Sequence, residues 1–310
     1  MRVLILGGDG FVGANVTEVL RNQNHVCLIA SRKTGCDFRI LGEVTNLYNS
    51  FKPDVIVNCA AHVGSLNYVT QNAAEIVLDN TKMILSIYEG LAITGLKSLV
   101  INPIANCAYP AKADTFIEDN WWDGHLHRSV LSYGSTRRTL WSVAECFAMQ
   151  YKIRTISLLV PNMFGEHDST DPNKAHALNA LISKFVKAEK SNQPELEIWG
   201  TGIAIREWLY AKDFGRIVSH IINYPDTIGL DEPINIAQNF GLSVKELVGL
   251  IKKSFDYKGQ IVWNVNMPDG APKKVMEDSK FKKVFPNFEF TKLEDGIRNT
   301  IEYYNLKYPY

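Results

Sequence analysis

The sequence predicts an α/β chain, a doubly wound parallel sheet followed by a smaller C-terminal α/β lobe. Two observations predict the sheet: strand-length apolar runs alternate with longer helix-patterned segments through the first half, and a glycine-rich turn joins the first run to the first helical stretch. A third predicts the lobe, because beyond Pro161 the rhythm changes to loops and short elements. With 310 residues the chain exceeds the size, about 250–300 residues, at which one core stops growing. A main domain over 1–164 and a lobe over 165–310 are expected, with parts of about 206–236 returning to the main domain.

The first strand is Arg2-Val3-Leu4-Ile5-Leu6, an apolar run without alternation, as a strand buried on both faces requires. It runs directly into Gly7-Gly8-Asp9-Gly10-Phe11-Val12-Gly13 and a helical stretch. Glycines are needed there because the turn is tight, the backbone approaches a pyrophosphate, and the helix packs closely on its strand while its N-terminus offers free amides. This is the opening of a Rossmann dinucleotide-binding fold. Two registers fit, Gly8-x-Gly10-x-x-Gly13 and Gly7-x-x-Gly10-x-x-Gly13.

Further strands are read at Val26-Cys27-Leu28-Ile29-Ala30, Val55-Ile56-Val57-Asn58-Cys59 and Leu99-Val100-Ile101, with helical crossovers between them. A helix carrying Tyr133 precedes a fifth strand, Thr155-Ile156-Ser157-Leu158-Leu159-Val160. After Pro161 come a loop-rich stretch over 166–174, a helix through Ala180-Leu181-Ile182 and a strand near Leu196-Glu197-Ile198-Trp199. A loop follows at Met267-Pro268-Asp269-Gly270-Ala271-Pro272-Lys273-Lys274, and an amphipathic helix over about 293–304 closes the chain. There is no internal repeat.

Composition narrows the function classes. The 33 basic and 33 acidic residues cancel, which removes the bulk electrostatic case for nucleic acid or an anionic membrane as partner. No apolar run reaches the ~20 residues that span a bilayer, and a strand starting at Arg2 is expected to leave no room for a leader. The five cysteines, Cys27, Cys36, Cys59, Cys107 and Cys146, lack paired metal-ligand spacing and read as free thiols of a reducing, cytoplasmic setting. No metal is implied.

Two stretches carry chemistry. Tyr133-Gly134-Ser135-Thr136-Arg137 nearly spells the Tyr-x-x-x-Lys pair with which many nicotinamide enzymes move a proton alongside a hydride. On a helix the four-residue spacing puts phenol and cation on one face, where the cation is expected to lower the phenol's pKa. Arginine keeps that charge, but its planar fork does not replace an ammonium one for one. At the end of the second strand, Ala30-Ser31-Arg32-Lys33 places two cations where NAD-binding folds carry a carboxylate, which suits the extra phosphate of NADP.

Further motifs extend the pattern along nearly the whole chain: Ala60-Ala61-His62-Val63-Gly64, Asn106-Cys107-Ala108-Tyr109-Pro110, Pro161-Asn162-Met163-Phe164-Gly165-Glu166-His167-Asp168, Ala175-His176-Ala177-Leu178, and Trp199-Gly200-Thr201-Gly202 with Arg206-Glu207-Trp208. With the 268–274 loop, they resemble the extended short-chain dehydrogenase/reductases and, more narrowly, the GDP-L-fucose synthases, which are 3,5-epimerase/4-reductases of a GDP-linked 4-keto-6-deoxy sugar. The resemblance implies a GDP-linked nucleotide sugar between the lobes, NADP on the larger lobe, and a homodimer formed through helices of that lobe.

Residue by residue, the resemblance implies cofactor contacts at Gly7, Gly10, Phe11, Val12 and Gly13, at Arg32, Lys33 and Asp37, and at Ala60 and Ala61. Tyr133 and Arg137 serve both cofactor and catalysis. Cys107 and His176 match the pair that moves protons at the carbons flanking the 4-keto group, where inversion needs an acid and a base on opposite faces. Arg206 stands near the substrate diphosphate, and Asn106, Asn162, Trp199 and Lys274 are expected along the sugar-nucleotide cleft. His62, His125, His127 and the Trp121-Trp122 pair receive no role. Two positions depart from the pattern: Ala105 replaces a serine that steadies the keto oxygen, a task for which adjacent Asn106 offers an amide, and Arg137 replaces a lysine. Three readings follow: a bifunctional epimerase/reductase, the same site running one half-reaction, and a non-catalytic nucleotide-binding relative.

Overall fold

The computed structural model describes residues 1–310 apart from 22, 114, 172–173, 227–228, 230–231 and 268. Pro268 of the loop motif and 172–173 of the 166–174 stretch therefore lie outside the described residues. In chain order the strands are β1 (Arg2–Leu6), β2 (Val26–Ala30), β3 (Val55–Asn58), β4 (Leu99–Ala105), β5 (Thr155–Val160), β6 (Asn162–Phe164), β7 (Glu195–Trp199), β8 (Ile205–Arg206), β9 (Trp208–Tyr210), β10 (Ile234–Asn235), β11 (Leu242–Ser243), β12 (Gln260–Asn264) and β13 (Lys273–Lys274). The helices are α1 (Phe11–Arg21), α2 (Leu41–Phe51), α3 (Leu66–Gln71), α4 (Ala73–Thr94), α5 (Leu131–Tyr151), α6 (Ala177–Lys190), α7 (Ala211–Asn223), α8 (Val244–Lys252), α9 (Ser279–Val284) and α10 (Leu293–Lys307).

Six strands form one parallel sheet in the order β10-β5-β4-β3-β1-β2. Val3, Leu4, Ile5 and Leu6 are fully buried, and all residues of β3 and β5 are buried, because helices cover both faces. One face packs Val44 of α2, Ile84 of α4 and Leu140 of α5. The other packs Val16 of α1, Ile217 of α7 and Phe281 of α9. This is the doubly wound fold expected from the alternating runs. Chain order reverses at β1, which lies between β2 and β3, and ligands of such sheets sit beyond the strand ends at that switch point.

The fourth strand runs four residues beyond the apolar run read from sequence, through Pro103 to Ala105, and Pro103 stands opposite Leu158 of β5. The interrupting polar residue is satisfied inside the core. Asn102 Oδ1 accepts from Asn58 Nδ2 at 3.0 Å, and its Nδ2 donates to Tyr88 Oη at 2.7 Å. The longer strand carries Ala105 and the residues after it to the ligand-binding edge of the sheet.

A third core, with Phe185, Ile198, Leu247 and Ile297, joins α6, α8 and α10 to the parallel pair β7 and β12. Two small sheets not legible in the sequence complete the structure: β8 between β11 and β13, and β6 beside β9. Among the described residues no helix is long and apolar enough to cross a membrane.

Candidate active site

The carboxyl end of β4 leads into a 3₁₀ turn over Asn106–Ala108, and α5 lies directly against it. Gly134 permits that approach, since a Cβ there would stand 2.6 Å from the Cys107 carbonyl oxygen. The glycine inside the Tyr133-to-Arg137 motif thus brings the phenol-bearing helix onto the cysteine-bearing turn. Arg138, next in sequence, is a clamp: its guanidinium donates to the carbonyls of Ala108, Gly124 and Trp121 at 2.8, 3.0 and 3.1 Å. Trp121 and Trp122 lie in the loop before α5 and pack with Trp141 into an aromatic cluster.

Tyr133, Arg137, Cys107 and His176 line one cleft of about 560 Å³. Arg137 is buried, its Nη2 donates to Asn80 Oδ1 at 3.2 Å, and its Nε is a buried donor without a hydrogen-bond partner. Asn80 also binds the backbone N–H and carbonyl of His62, so one buried amide ties Arg137 to the loop after β3. The expectation of a lowered Tyr133 pKa is corrected. Burial pushes the phenol up, Arg137 pulls it only partly down, and the net shift is upward.

Cys107 is likewise held above the ordinary thiol range by burial, with Lys274 and Arg137 offsetting part of the rise. His176 stands at the start of α6, with its ring 5.0 Å from that of Phe11 at the start of α1. Asp168 accepts from its backbone N–H at 2.8 Å and stands 3.1 Å from Nδ1. Burial pushes the imidazole pKa down, but the Asp168 carboxylate outweighs it, and the ring stands above its ordinary value. The carboxylate fixes Nδ1 as the protonated nitrogen and leaves Nε2 for the cleft. Asn106 is buried on the cleft wall, and its Nδ2 has no hydrogen-bond partner.

The same cleft carries a cationic wall. Arg206 of β8 and Lys274 of β13 are register partners in adjacent parallel strands. Arg206 is anchored by the carbonyls of Ile205 and Asp269, at 2.8 and 2.9 Å. Burial pushes both pKa values down, Cys107 pulls Lys274 back up, and Arg206 lowers Lys274 further. Among the described residues neither is ion-paired to a carboxylate within 4.0 Å. Asp269 binds the Thr201 N–H and hydroxyl at 2.8 and 2.7 Å, tying the Trp199 turn to the later loop. Asn162 and Trp199 also line the cleft, and Lys184 of α6 stands 4.8 Å over the Trp199 ring.

The glycine turn fits a nucleotide. Gly7 has φ +72°, and a Cβ on it would stand 2.9 Å from the Ala60 backbone; one on Gly13 would stand 2.3 Å from the Gly7 carbonyl oxygen. Gly13 is common to both registers, and the positive φ of Gly7 makes it a required glycine of the Gly7-x-x-Gly10-x-x-Gly13 register. Gly10, Phe11, Val12, Ala60 and Ala61 line the cleft, where the free amides of the first turn of α1 suit a pyrophosphate. The buried orphan Nε of Arg137 on the same wall is a donor waiting for a polar acceptor. Gly7, Gly13, Arg32, Lys33 and Asp37 lie outside the cleft wall. Arg32 and Lys33 are exposed in a 3₁₀ turn capped by Ser31. The Asp37 carboxylate is taken up by Arg39, which also bridges to Asp79; Asp79 in turn holds His62, whose Nε2 is 2.8 Å from Tyr68 Oη.

Sequence reasoning passed over Asp168, Lys184, Asn80 and Asp269 as site residues. Asp168 was visible only as the last letter of a motif, eight positions from the histidine it orients. Among the described residues no cluster of His, Cys, Asp and Glu is arranged to hold a metal.

A family model, the NAD dependent epimerase/dehydratase family, matches residues 3–237. The GDP-L-fucose synthase of Azorhizobium caulinodans is 27% identical over 304 residues, covering 98% of this chain and 96% of that protein. The GDP-L-colitose synthase of Yersinia pseudotuberculosis is 26% identical over 306 residues, covering 98% of each. Among solved structures, a GDP-L-fucose synthetase from Naegleria fowleri bound to NADP shares the fold at TM-score 0.88 and 24% identity, over 99% of this chain and 93% of that one. A GDP-6-OMe-4-keto-L-xylo-heptose reductase from C. jejuni does so at TM-score 0.88 and 21% identity, over 99% and 98%.

Proposed function

Because this chain belongs to the NAD dependent epimerase/dehydratase family, we propose that it epimerises and then reduces a nucleotide-linked 4-keto-6-deoxy sugar, GDP-linked, with NADPH as reductant. The observation that carries the reading is the convergence, in one cleft, of two proton-transfer sets and an unpaired cationic wall. The names of the relatives support the GDP-sugar class, and the NADP-bound neighbour supports the cofactor.

When bound, NADPH supplies a hydride to the carbonyl carbon. Gly10 and the first amides of α1 would hold its pyrophosphate, Arg32 and Lys33 would hold its 2′-phosphate, and Arg137 would donate its free Nε–H to a ribose hydroxyl. Arg206 and Lys274 bind the sugar-nucleotide diphosphate, with Lys184, Trp199 and Asn162 along the same wall. Cys107 and His176 form the acid/base pair at the carbons beside the carbonyl, with Asp168 keeping the His176 Nε2 face in register. Loss of a proton there puts charge on the keto oxygen, and the unpartnered Asn106 amide is the donor that receives it. Tyr133, kept protonated by burial, delivers the final proton to that oxygen.

A second reading, epimerisation alone, draws on Ala105, which lines the cleft without a hydroxyl. Incubation with GDP-, dTDP- and UDP-linked 4-keto-6-deoxy sugars and NADPH, followed by NMR of the products, separates the two. A reduced, inverted GDP-sugar is expected; an inverted ketone with no NADPH consumed selects epimerisation alone. Free cysteines favour a reducing compartment, the cytoplasm. The outer face of α4, with exposed Val77, Leu78 and Leu85, and Met149 on neighbouring α5, favours a homodimer.

A further inference from the structure

Asp9 sits in the glycine turn between β1 and α1, and its Oδ2 accepts a hydrogen bond from the Ser31 hydroxyl just after β2. Ser31 caps the 3₁₀ turn Arg32–Thr34 by accepting from the Lys33 N–H at 3.1 Å, so the one proton of its hydroxyl is committed to Asp9. The arrangement puts a carboxylate at the carboxyl end of β2, beside the switch point, where doubly wound sheets hold the adenosine ribose. Asp9 is exposed, and among the described residues its Oδ1 has no donor and neither oxygen has a cationic partner. One end of the nucleotide site therefore carries two opposed preferences. The cations Arg32 and Lys33 favour a 2′-phosphate, whereas a carboxylate accepts a 2′-hydroxyl and repels that phosphate.

We propose that Asp9, held in place by Ser31, is a specificity-determining residue that admits NADH beside NADPH, its carboxylate accepting the ribose hydroxyl of the one and opposing the 2′-phosphate of the other. The inference rests on the nicotinamide-nucleotide reading above and is independent of which sugar is processed. It also explains why Ser31 is spent on Asp9 instead of being left to an incoming phosphate. The carboxylate reaches the ribose from the glycine turn, so its contribution was hidden in a sequence that lacks an acidic residue at the end of the second strand.

Calorimetric titration of the full chain with NADH and with NADPH, at low and high ionic strength, tests this in the parent, Asp9→Asn and Ser31→Ala. Asparagine keeps an oxygen for Ser31 and removes only the charge. Asp9→Asn is expected to tighten NADPH by about threefold to tenfold and to weaken NADH by a similar factor, with the NADPH gain shrinking in high salt. Ser31→Ala keeps the charge but releases the carboxylate from its anchor, and is expected to shift both affinities in the same directions by a smaller factor. An NADPH-to-NADH affinity ratio in Asp9→Asn within about twofold of the parent overturns the proposal. So does an equal loss for both nucleotides, which marks Asp9 as a support of the turn. A parent that binds neither overturns the nucleotide reading and this inference with it.

Discussion

The guanidinium carbon of Arg137 stands 4.8 Å from the centroid of the Tyr133 ring, one helical turn along α5. The cation therefore lies against the ring face of the phenol, where it orients the ring as well as biasing its charge. A lysine would act there as a point charge, whereas the planar fork also reaches Asn80 and through it the loop after β3. Burial leaves Tyr133 above its ordinary pKa, so it remains a proton donor across the neutral range.

Reduction is expected to depend on Asn106, because Ala105 offers no hydroxyl and the Asn106 amide is a buried donor with no partner. Asn106→Ala should lower the rate of NADPH oxidation by about a hundred- to a thousandfold, and Ala105→Ser in that background should restore part of the loss. Stopped-flow absorbance reads both. An unchanged rate in Asn106→Ala assigns the oxyanion donor to another group.

The pH response follows from Asp168. In the folded chain the His176 pKa is raised, so the imidazolium–carboxylate pair contributes stability fully below the ordinary histidine value of about 6.5 and loses it as pH rises through the folded pKa. In Asp168→Asn only burial remains, and the His176 pKa should fall below that ordinary value. NMR titration of the imidazole checks the direction, and the stability gap between parent and variant should narrow with rising pH. A His176 pKa that does not move removes Asp168 as its positioning partner.

Arg32→Ala with Lys33→Ala should weaken NADPH about tenfold or more while leaving NADH nearly unchanged, since only the former carries the 2′-phosphate. Fluorescence titration distinguishes this from a solvated turn, for which neither affinity changes.

A charge placed on the exposed apolar face of α4 should yield a monomer. Leu78→Glu with Leu85→Glu substitutes side chains that are 54% and 46% exposed, so the fold itself should tolerate them. Sedimentation velocity of a parent that is already monomeric rules out this face as an interface.

The glycine turn and the buried strands were legible in the sequence because tight backbone geometry and two-sided burial leave direct marks on residue choice. Strand β4 was read short because its interior holds Asn102, whose satisfaction by Asn58 and Tyr88 depends on residues far away in the chain. Strands β8, β11 and β13, of two residues each, are too short to show a period. In the cleft, Tyr133, Cys107 and His176 were visible as residue types in motifs, but the sign of the Tyr133 shift was not, because it is set by packing around α5. Lys184 carried no mark in the sequence, because its place over the Trp199 ring depends on β7 lying beside α6. Asp9 was hidden for the same reason: its meaning depends on Ser31, across the turn.

Deuterium uptake by a GDP-linked 4-keto-6-deoxy sugar in heavy water, with no NADPH present, addresses the pairing of Cys107 and His176 most directly, because enolisation needs an acid/base pair and no hydride. Mass spectrometry of the recovered sugar should show label at the carbons flanking the carbonyl with the parent, and a fall of at least about a hundredfold in rate with Cys107→Ser or His176→Gln. Exchange as fast in those variants as in the parent, or none with the parent, would contradict the assignment of these two side chains to proton transfer.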